Sequence, residues 1–251
     1  MLRWYRGDLH VHTVLSPCGA LLMGPKNIVP RALAIGLNLL AITDHNASEN
    51  VPGVLKAAEN TNLMVVPGME VTSQEEGHLI CLFASMQLLD EFQALIYEHL
   101  TPGENAPDFF GPQYIVNENN EVLGENKRLL IFATTLKTRQ IIDAVTEKGG
   151  ICYPAHIERK AYSLLNQLGF IPDDLTFPAL EISWNASVSK VIKQFPQAVN
   201  YPLIRSSDAH HTDEMGRGST WFLMEKLSFE ELVLAIQHRE NRRIYIEKEI
   251  L

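Results

Sequence analysis

The sequence predicts an α/β protein built on a mostly parallel sheet, and three observations carry that prediction. Short apolar runs alternate with stretches whose apolar residues recur every three or four positions, so strand and helix follow one another repeatedly. Most of the apolar runs give way to a short block of histidine and carboxylate residues, as expected where the carboxyl ends of parallel strands carry chemistry. The chain of 251 residues, 46% hydrophobic and 20% charged, is long enough to bury one large core and too balanced in composition to stay disordered.

The first block reads Gly7-Asp8-Leu9-His10-Val11-His12-Thr13. Helical periodicity over Ile28 to Ile35 leads to a buried strand at Leu39 to Ile42, which closes in Thr43-Asp44-His45-Asn46. Leu63 to Val66 is the next strand and runs into Gly68-Met69-Glu70; His78 to Phe83 follows as another, then a helix over Leu88 to His99. From Thr101 to Leu129 the alternation stops. Pro102, Gly103, Pro107, Gly111 and Pro112 mark an insertion, with Tyr114 to Val116 and Glu121 to Val122 able to pair as a hairpin across Asn119-Asn120, as a lid or arm near the site or as a plain surface excursion. A helix over Leu136 to Lys148 precedes the strand Ile151 to Tyr153, which ends in Pro154-Ala155-His156. Strands at Leu180 to Ile182 and Leu203 to Ile204 follow, the latter closing in Ser206-Ser207-Asp208-Ala209-His210, and Phe229 to Arg239 is the last helix.

His10 and His12 lie two apart, so in an extended strand both side chains face the same way and can grip one ion. Asp208 and His210 repeat that spacing. Glu70 emerges at the end of an apolar run, where a carboxylate must be paired or ligated to be tolerated. Six of the nine histidines fall in or beside the blocks; His99 and His238 sit on helical stretches and read as ordinary surface residues, and His211 would face away from His210. Neutral imidazoles and carboxylates are the ligands that zinc, manganese and iron prefer.

Taken together, the ordered blocks from Asp8 to His210 resemble the PHP family of metal-dependent phosphoesterases. The resemblance implies a distorted barrel of about seven strands, of (β/α)7 type, with the metal site at the carboxyl ends of the strands. It implies up to three divalent ions: one held by His10, His12, Asp208 and Glu70, a second by Glu70, His78 and His156, and a third by His45 and His210. At the remaining position of the third site this chain departs from the family, offering Cys18 where some relatives carry histidine, while the aspartate of others would fall at Pro17; Cys18 either biases that site to zinc or leaves it open. Asp8 and Asp44 are expected to orient ligand imidazoles. Arg159, following His156, is the expected phosphate clamp, with Arg205 a second candidate.

Such a set makes hydroxide at neutral pH and neutralises charge on a phosphoryl oxygen, with Glu70, Asp208 and Arg159 as the key catalytic groups, so phosphate ester hydrolysis is the expected reaction. The alternatives are an amidohydrolase, which would use a carboxylated lysine where Glu70 stands, and a non-catalytic PHP-like binding module. The formal charge of −9 disfavours an extended nucleic-acid surface and favours a small phosphorylated substrate, nucleotides included; Phe109, Phe110, Tyr114 and Tyr162 could stack on a base. No apolar run approaches the roughly 18 residues of a membrane span and no signal region follows the N-terminus, which predicts a cytoplasmic protein without a membrane partner. The three cysteines predict no disulfide framework. The whole chain, 1–251, is expected to form one catalytic domain carrying the 101–129 insertion; oligomeric state is left open.

Overall fold

The computed structural model describes residues 1–172 and 174–246. Its first half runs β1 (Arg3–Val11), α1 (Pro25–Ala34), β2 (Leu39–Ile42), α2 (Val51–Ala58), β3 (Met64–Thr72), β4 (His78–Leu82) and α3 (Met86–Glu98). The insertion holds α4 (Pro107–Phe110), β5 (Tyr114–Val116) and β6 (Val122–Glu125), and is followed by α5 (Thr138–Glu147), β7 (Ile151–Pro154) and α6 (Leu164–Leu168). The chain then forms β8 (Leu180–Ile182), α7 (Val188–Gln194), β9 (Leu203–Arg205), β10 (Thr220–Met224), α8 (Phe229–Ile236) and β11 (Arg243–Ile246).

Seven strands form one sheet in the order β11-β10-β1-β2-β3-β4-β7, and β8 and β9 form a separate parallel pair. That pair is tied to both sides of the sheet. Ile157 N–H, just after β7, donates to Glu181 O on β8 (2.9 Å), and His12 N–H donates to Ala209 O just beyond β9 (3.0 Å). The sheet thus curls into a distorted barrel, with β10 and β11 extending antiparallel from β1.

The strands form where apolar residues alternate between two buried faces. On β2, Leu39 and Ala41 face an interior shared with Leu9, Val66, Ile80 and Ile204 and plugged by Leu232 and Ile236 of α8. Leu40 and Ile42 face the outer helices, among them Ile28 of α1 and Phe92 of α3. Helices α3 and α8 begin where the Ser85 and Ser228 hydroxyls accept the N–H groups of Leu88 and Glu231.

The sequence pattern predicts Glu70 at a strand end in a mostly parallel sheet. Instead β3 continues through Glu70 to Thr72, and β4 runs antiparallel to both β3 and β7. The cause is a tight reversal closed by Ser73 N–H to Gly77 O (2.9 Å). Because β4 is reversed, its first residue, His78, lies at the same barrel mouth as the carboxyl ends of its neighbours, with Thr72 and His78 paired in register. No helix among the described residues is long and apolar enough to cross a membrane.

The hairpin in the insertion forms as expected, β5 pairing with β6. It docks through Asn50, whose Nδ2 donates to Tyr114 O (3.0 Å) and whose Oδ1 accepts from Val116 N–H (2.8 Å). Gly111, at φ +102°, passes so close to the Cys18 loop that a Cβ would stand 2.1 Å from Pro17 O. Any side chain there would push the insertion off that loop.

Candidate metal centre

Strand ends bring the blocks to one mouth of the barrel. His10 and His12 arrive on β1, Asp208 and His210 on the segment paired with its end, and Glu70 on β3, where a bridge between His45 and Glu70 extends the β2–β3 pairing. Glu70 is central. Its Oε1 lies 2.7 Å from His78 Nδ1, 3.3 Å from His156 Nε2 and 3.3 Å from His10 Nε2. Its Oε2 lies 3.0 Å from His45 Nδ1 and 3.4 Å from His12 Nε2, yet has no hydrogen-bond partner. Asp208 Oδ1 stands 3.1 Å from His12 Nε2 and 3.3 Å from His10 Nε2.

The rings are held so that lone pairs face inward. His10 Nδ1–H donates to Glu181 Oε1 (2.9 Å), His12 Nδ1–H to Ser16 Oγ (3.0 Å) and His210 Nδ1–H to Asp208 O (3.0 Å). In those tautomers the Nε2 atoms of His10 and His12 confront each other at 3.1 Å beside two carboxylates, an arrangement that asks for a cation between them. Three donor sets lie mutually within 4.8 Å: His10, His12 and Asp208; His45, Glu70 and His78; and His12, His45 and His210. The first fits one expected site. In the other two, His45 also lies beside Glu70 and His78, and His12 beside His45 and His210, so the clusters share members rather than standing apart. His156 approaches Glu70 from the side, its Nδ1 buried without a partner. The donor set, its burial and these orphaned atoms fit divalent ions of the zinc, manganese and iron type.

Without ions, protons balance the charge. Burial works against a charged His10, but Glu181, Glu70 and Asp208 outweigh it and raise its pKa well above the usual range; Cys18 and Glu70 do the same for His45. Burial pushes His12 down, and His210 and His45 push further; burial also takes His78 down to about 4. Glu70 and Asp208 are held ionised despite burial, chiefly by His78 and His10 respectively. Cys18 sits at the mouth, lining the cavity with His45 and His210 but outside the three donor sets; burial opposes ionisation of the thiol, but these imidazoles bring it down to about 6. Its loop folds back so tightly that a Cβ on Gly19 would stand 2.1 Å from Thr13 O.

The orienting carboxylates are not those expected. Asp8 meets no imidazole: its two oxygens accept from Ser207 N–H (2.9 Å) and Gly216 N–H (3.0 Å), tying down the Asp208 segment. Asp44 acts at one remove, accepting from Ser16 Oγ (2.6 Å), which in turn accepts from His12. Glu181, which sequence reasoning missed, is the carboxylate on His10 and also accepts from His156 N–H (3.3 Å). Its signal was a carboxylate inside the apolar run Leu180-Glu181-Ile182, where charge must have a partner.

A cavity of about 540 Å³ opens over the cluster, lined by Cys18, His45, Glu70, His78, His156 and Asp208, with Arg159, Lys160 and Tyr162 on its rim. Arg159 Nη1 lies 2.6 Å from Asp208 Oδ2, and its Nε donates to Ser183 Oγ (3.0 Å). Arg205 is buried, with Nη2 on Ala186 O (2.8 Å), and does not line the cavity. His99 donates to Leu95 O (3.0 Å) and His238 accepts from Ile244 N–H (3.4 Å), both away from the site.

Known proteins bear on this geometry. The chain is 29% identical over 101 residues to the PolC-type DNA polymerase III of Bacillus subtilis (strain 168), covering 40% of this chain and 7% of that protein. It is 33% identical over 75 residues to the 5'-3' exoribonuclease Rnm of Salmonella typhimurium, covering 29% of this chain and 25% of that one. In fold it is similar to the lesion-specific endonuclease Q of Pyrococcus furiosus, at TM-score 0.73 and 21% identity over 96% of this chain and 58% of the other. A structure of endonuclease Q with a 27-mer duplex bearing an abasic lesion is similar at TM-score 0.69 and 20% identity, over 96% of this chain and 58% of that one. A PHP-associated model matches residues 191–241. The PHP domain model matches residues 8–165, well over half the chain, which therefore belongs to the PHP domain family of metal-dependent phosphoesterases.

Proposed function

We propose that the chain is a metal-dependent hydrolase of small phosphate esters, nucleotide and sugar phosphomonoesters foremost and the ends of oligonucleotides by extension. The observation that carries this reading is Glu70: a buried carboxylate contacted by five imidazoles, with one oxygen lacking any hydrogen bond. His10, His12, His45, His78, His156, His210, Asp208, Glu70 and Cys18 would hold up to three ions. Bound ions would supply hydroxide at neutral pH and neutralise charge on the phosphoryl group.

The protein's own groups do the rest. Arg159, braced by Asp208 and Ser183, presents a planar guanidinium at the rim to receive two phosphate oxygens. Lys160 adds a second positive charge at the same rim. Glu181, Ser16 and the Asp208 carbonyl fix the ligand imidazoles in the tautomers that keep Nε2 available. Glu70 stands at the centre of the donors, contacted by five imidazoles, in the place that a carboxylated lysine would take in an amidohydrolase. We read residues 1–251 as one catalytic domain, with 101–129 as an arm beside the site.

The test is turnover by protein purified without chelator, its metal content measured by elemental mass spectrometry. Substrates are p-nitrophenyl phosphate, nucleoside monophosphates and 3′,5′-bisphosphates, an abasic duplex, and a dipeptide and dihydropyrimidine panel. Turnover of small phosphoesters is expected. Cleavage of the duplex alone would replace the substrate class; turnover of amides alone, or a loaded site inert on every ester, would end the phosphoesterase reading.

A further inference from the structure

A second cavity, of about 370 Å³, opens directly beside the metal pocket and shares Ile131, Ala161 and Tyr162 with it. Its walls are aromatic. Tyr162 stacks on His78 with ring centroids 4.9 Å apart and planes at 20°, while remaining 49% exposed, so one face of its ring is covered by a donor imidazole and ring surface remains open. Phe110 and Phe132 pack edge to face at 5.5 Å and line it as well, with Phe132 39% exposed; Thr72, Glu76 and Gln167 are the polar side chains of its lining.

Both walls are fastened to the metal-site scaffold. Tyr162 O accepts His78 N–H (2.9 Å), and Tyr162 holds a left-handed backbone at φ +56°. On the other side Asn46, next to His45, donates from Nδ2 to Leu130 O (2.8 Å) and Phe132 O (2.9 Å). Exposed aromatic surface that is held in place, instead of being folded into the core, marks a binding surface. The chemistry around it limits the occupant. Glu76 lines this second cavity, and a carboxylate there repels a second phosphate but can accept from an exocyclic amino group.

We infer that this cleft is a subsite for the nucleobase of a mononucleotide whose phosphate sits at Arg159. The inference rests on the phosphoesterase reading for the phosphate's position, and it adds selectivity: the ring lies against Tyr162, Phe110 and Phe132, with the sugar passing over Ala161. Tyr114 and Phe109, expected to help stack a base, line neither cavity.

The experiment compares adenosine 5′-monophosphate with ribose 5-phosphate, which carries the same ester without a base. With manganese present, kcat/KM for the nucleotide should exceed that for the sugar phosphate by about ten- to a hundredfold, the range that one base–aromatic stack supplies. Phe132→Ala, and separately Phe110→Ala in case the first variant misfolds, should bring the ratio toward one. Calorimetric binding of both compounds to the manganese-loaded protein runs alongside. A ratio near one in the wild type, or ratios unmoved in folded variants, overturns the subsite and leaves the phosphoesterase reading intact. No turnover of either compound, with base-dependent binding lost in the variants, supports the subsite while overturning the hydrolase. Base-independent binding without turnover overturns both.

Discussion

Glu181→Gln isolates the group that orients His10. The substitution keeps volume and one oxygen for the His10 Nδ1–H, but it removes the negative charge 2.9 Å from that nitrogen and weakens the acceptor for His156 N–H at 3.3 Å. A hydrogen bond to a charged group is worth about 1.5–3 kcal/mol, against about 0.5–1.5 kcal/mol for a neutral one, so about 1–1.5 kcal/mol should be lost where His10 meets a cation. That corresponds to roughly five- to thirteenfold in metal affinity, which meets the lower end of the range of about ten- to a hundredfold typical of partners to ligand imidazoles. The assay is calorimetric titration of chelator-treated protein with zinc and with manganese, with thermal unfolding in chelator as the control for folding. Turnover at saturating metal should recover most of the wild-type rate, because Glu181 acts through His10. Affinity within about twofold of wild type, in a variant with an unchanged melting temperature, would show that His10 is oriented without this carboxylate.

Arg159→Lys keeps the charge but loses the two-pronged fork, and kcat/KM for phosphoesters should fall by about ten- to a hundredfold while metal content is unchanged; elemental analysis with steady-state kinetics checks both. Cys18→Ala should lower bound zinc from about three ions to about two, read by elemental mass spectrometry; equal content in both proteins would make Cys18 a bystander. Stability should respond to pH in opposite ways with and without metal. In chelator, His10 and His45 carry raised pKa values, so the stability they contribute is complete below about pH 6.5 and is lost as pH rises through their folded values; the melting temperature should fall on the alkaline side. With saturating zinc the alkaline fall should disappear, since the ligands bind metal in their deprotonated forms.

Much of this was legible because the chemistry sits on the strands. The runs at Leu39 to Ile42 and Leu180 to Ile182 are strands with those bounds, and each histidine of the blocks reaches the cluster. Local pattern failed where a tertiary partner decides. The reversal at Ser73 to Gly77 turned β4 antiparallel, yet an isolated apolar run does not encode its direction. Asp8 looked like a partner for an adjacent histidine, but the two N–H groups it accepts belong to Ser207 and Gly216, far along the chain. Arg205 looked like a phosphate clamp at a strand end, and the guanidinium turned inward to the Ala186 carbonyl instead. The strand β10 alternates in burial from Thr220 to Met224, but its sequence is the unbroken apolar run Trp221 to Met224, so the alternation itself is visible only in the structure.

Backbone strain falls at or beside three of the donors. His156, Asp208 and Asn46 all hold positive φ, at 31°, 51° and 49°, at or beside donors that follow β7, β9 and β2. A left-handed backbone in such residues costs about 1–3 kcal/mol, least for asparagine, and persists only where surrounding contacts fix it. The contacts of Ile157 and His156 with Glu181 and of Asp8 with Ser207 also close the barrel, while Asn46 Oδ1, accepting Thr72 N–H at 3.0 Å, ties the ends of the neighbouring strands β2 and β3. Asp208 and His210 therefore join the donors of β1 to β4 only once the segment after β9 has paired with the end of β1, so an ion held between His10, His12 and Asp208 would stabilise the closed barrel. Metal loading and folding are then linked equilibria: a weakened closing contact should appear as lost metal affinity, and saturating metal should offset a destabilised closure.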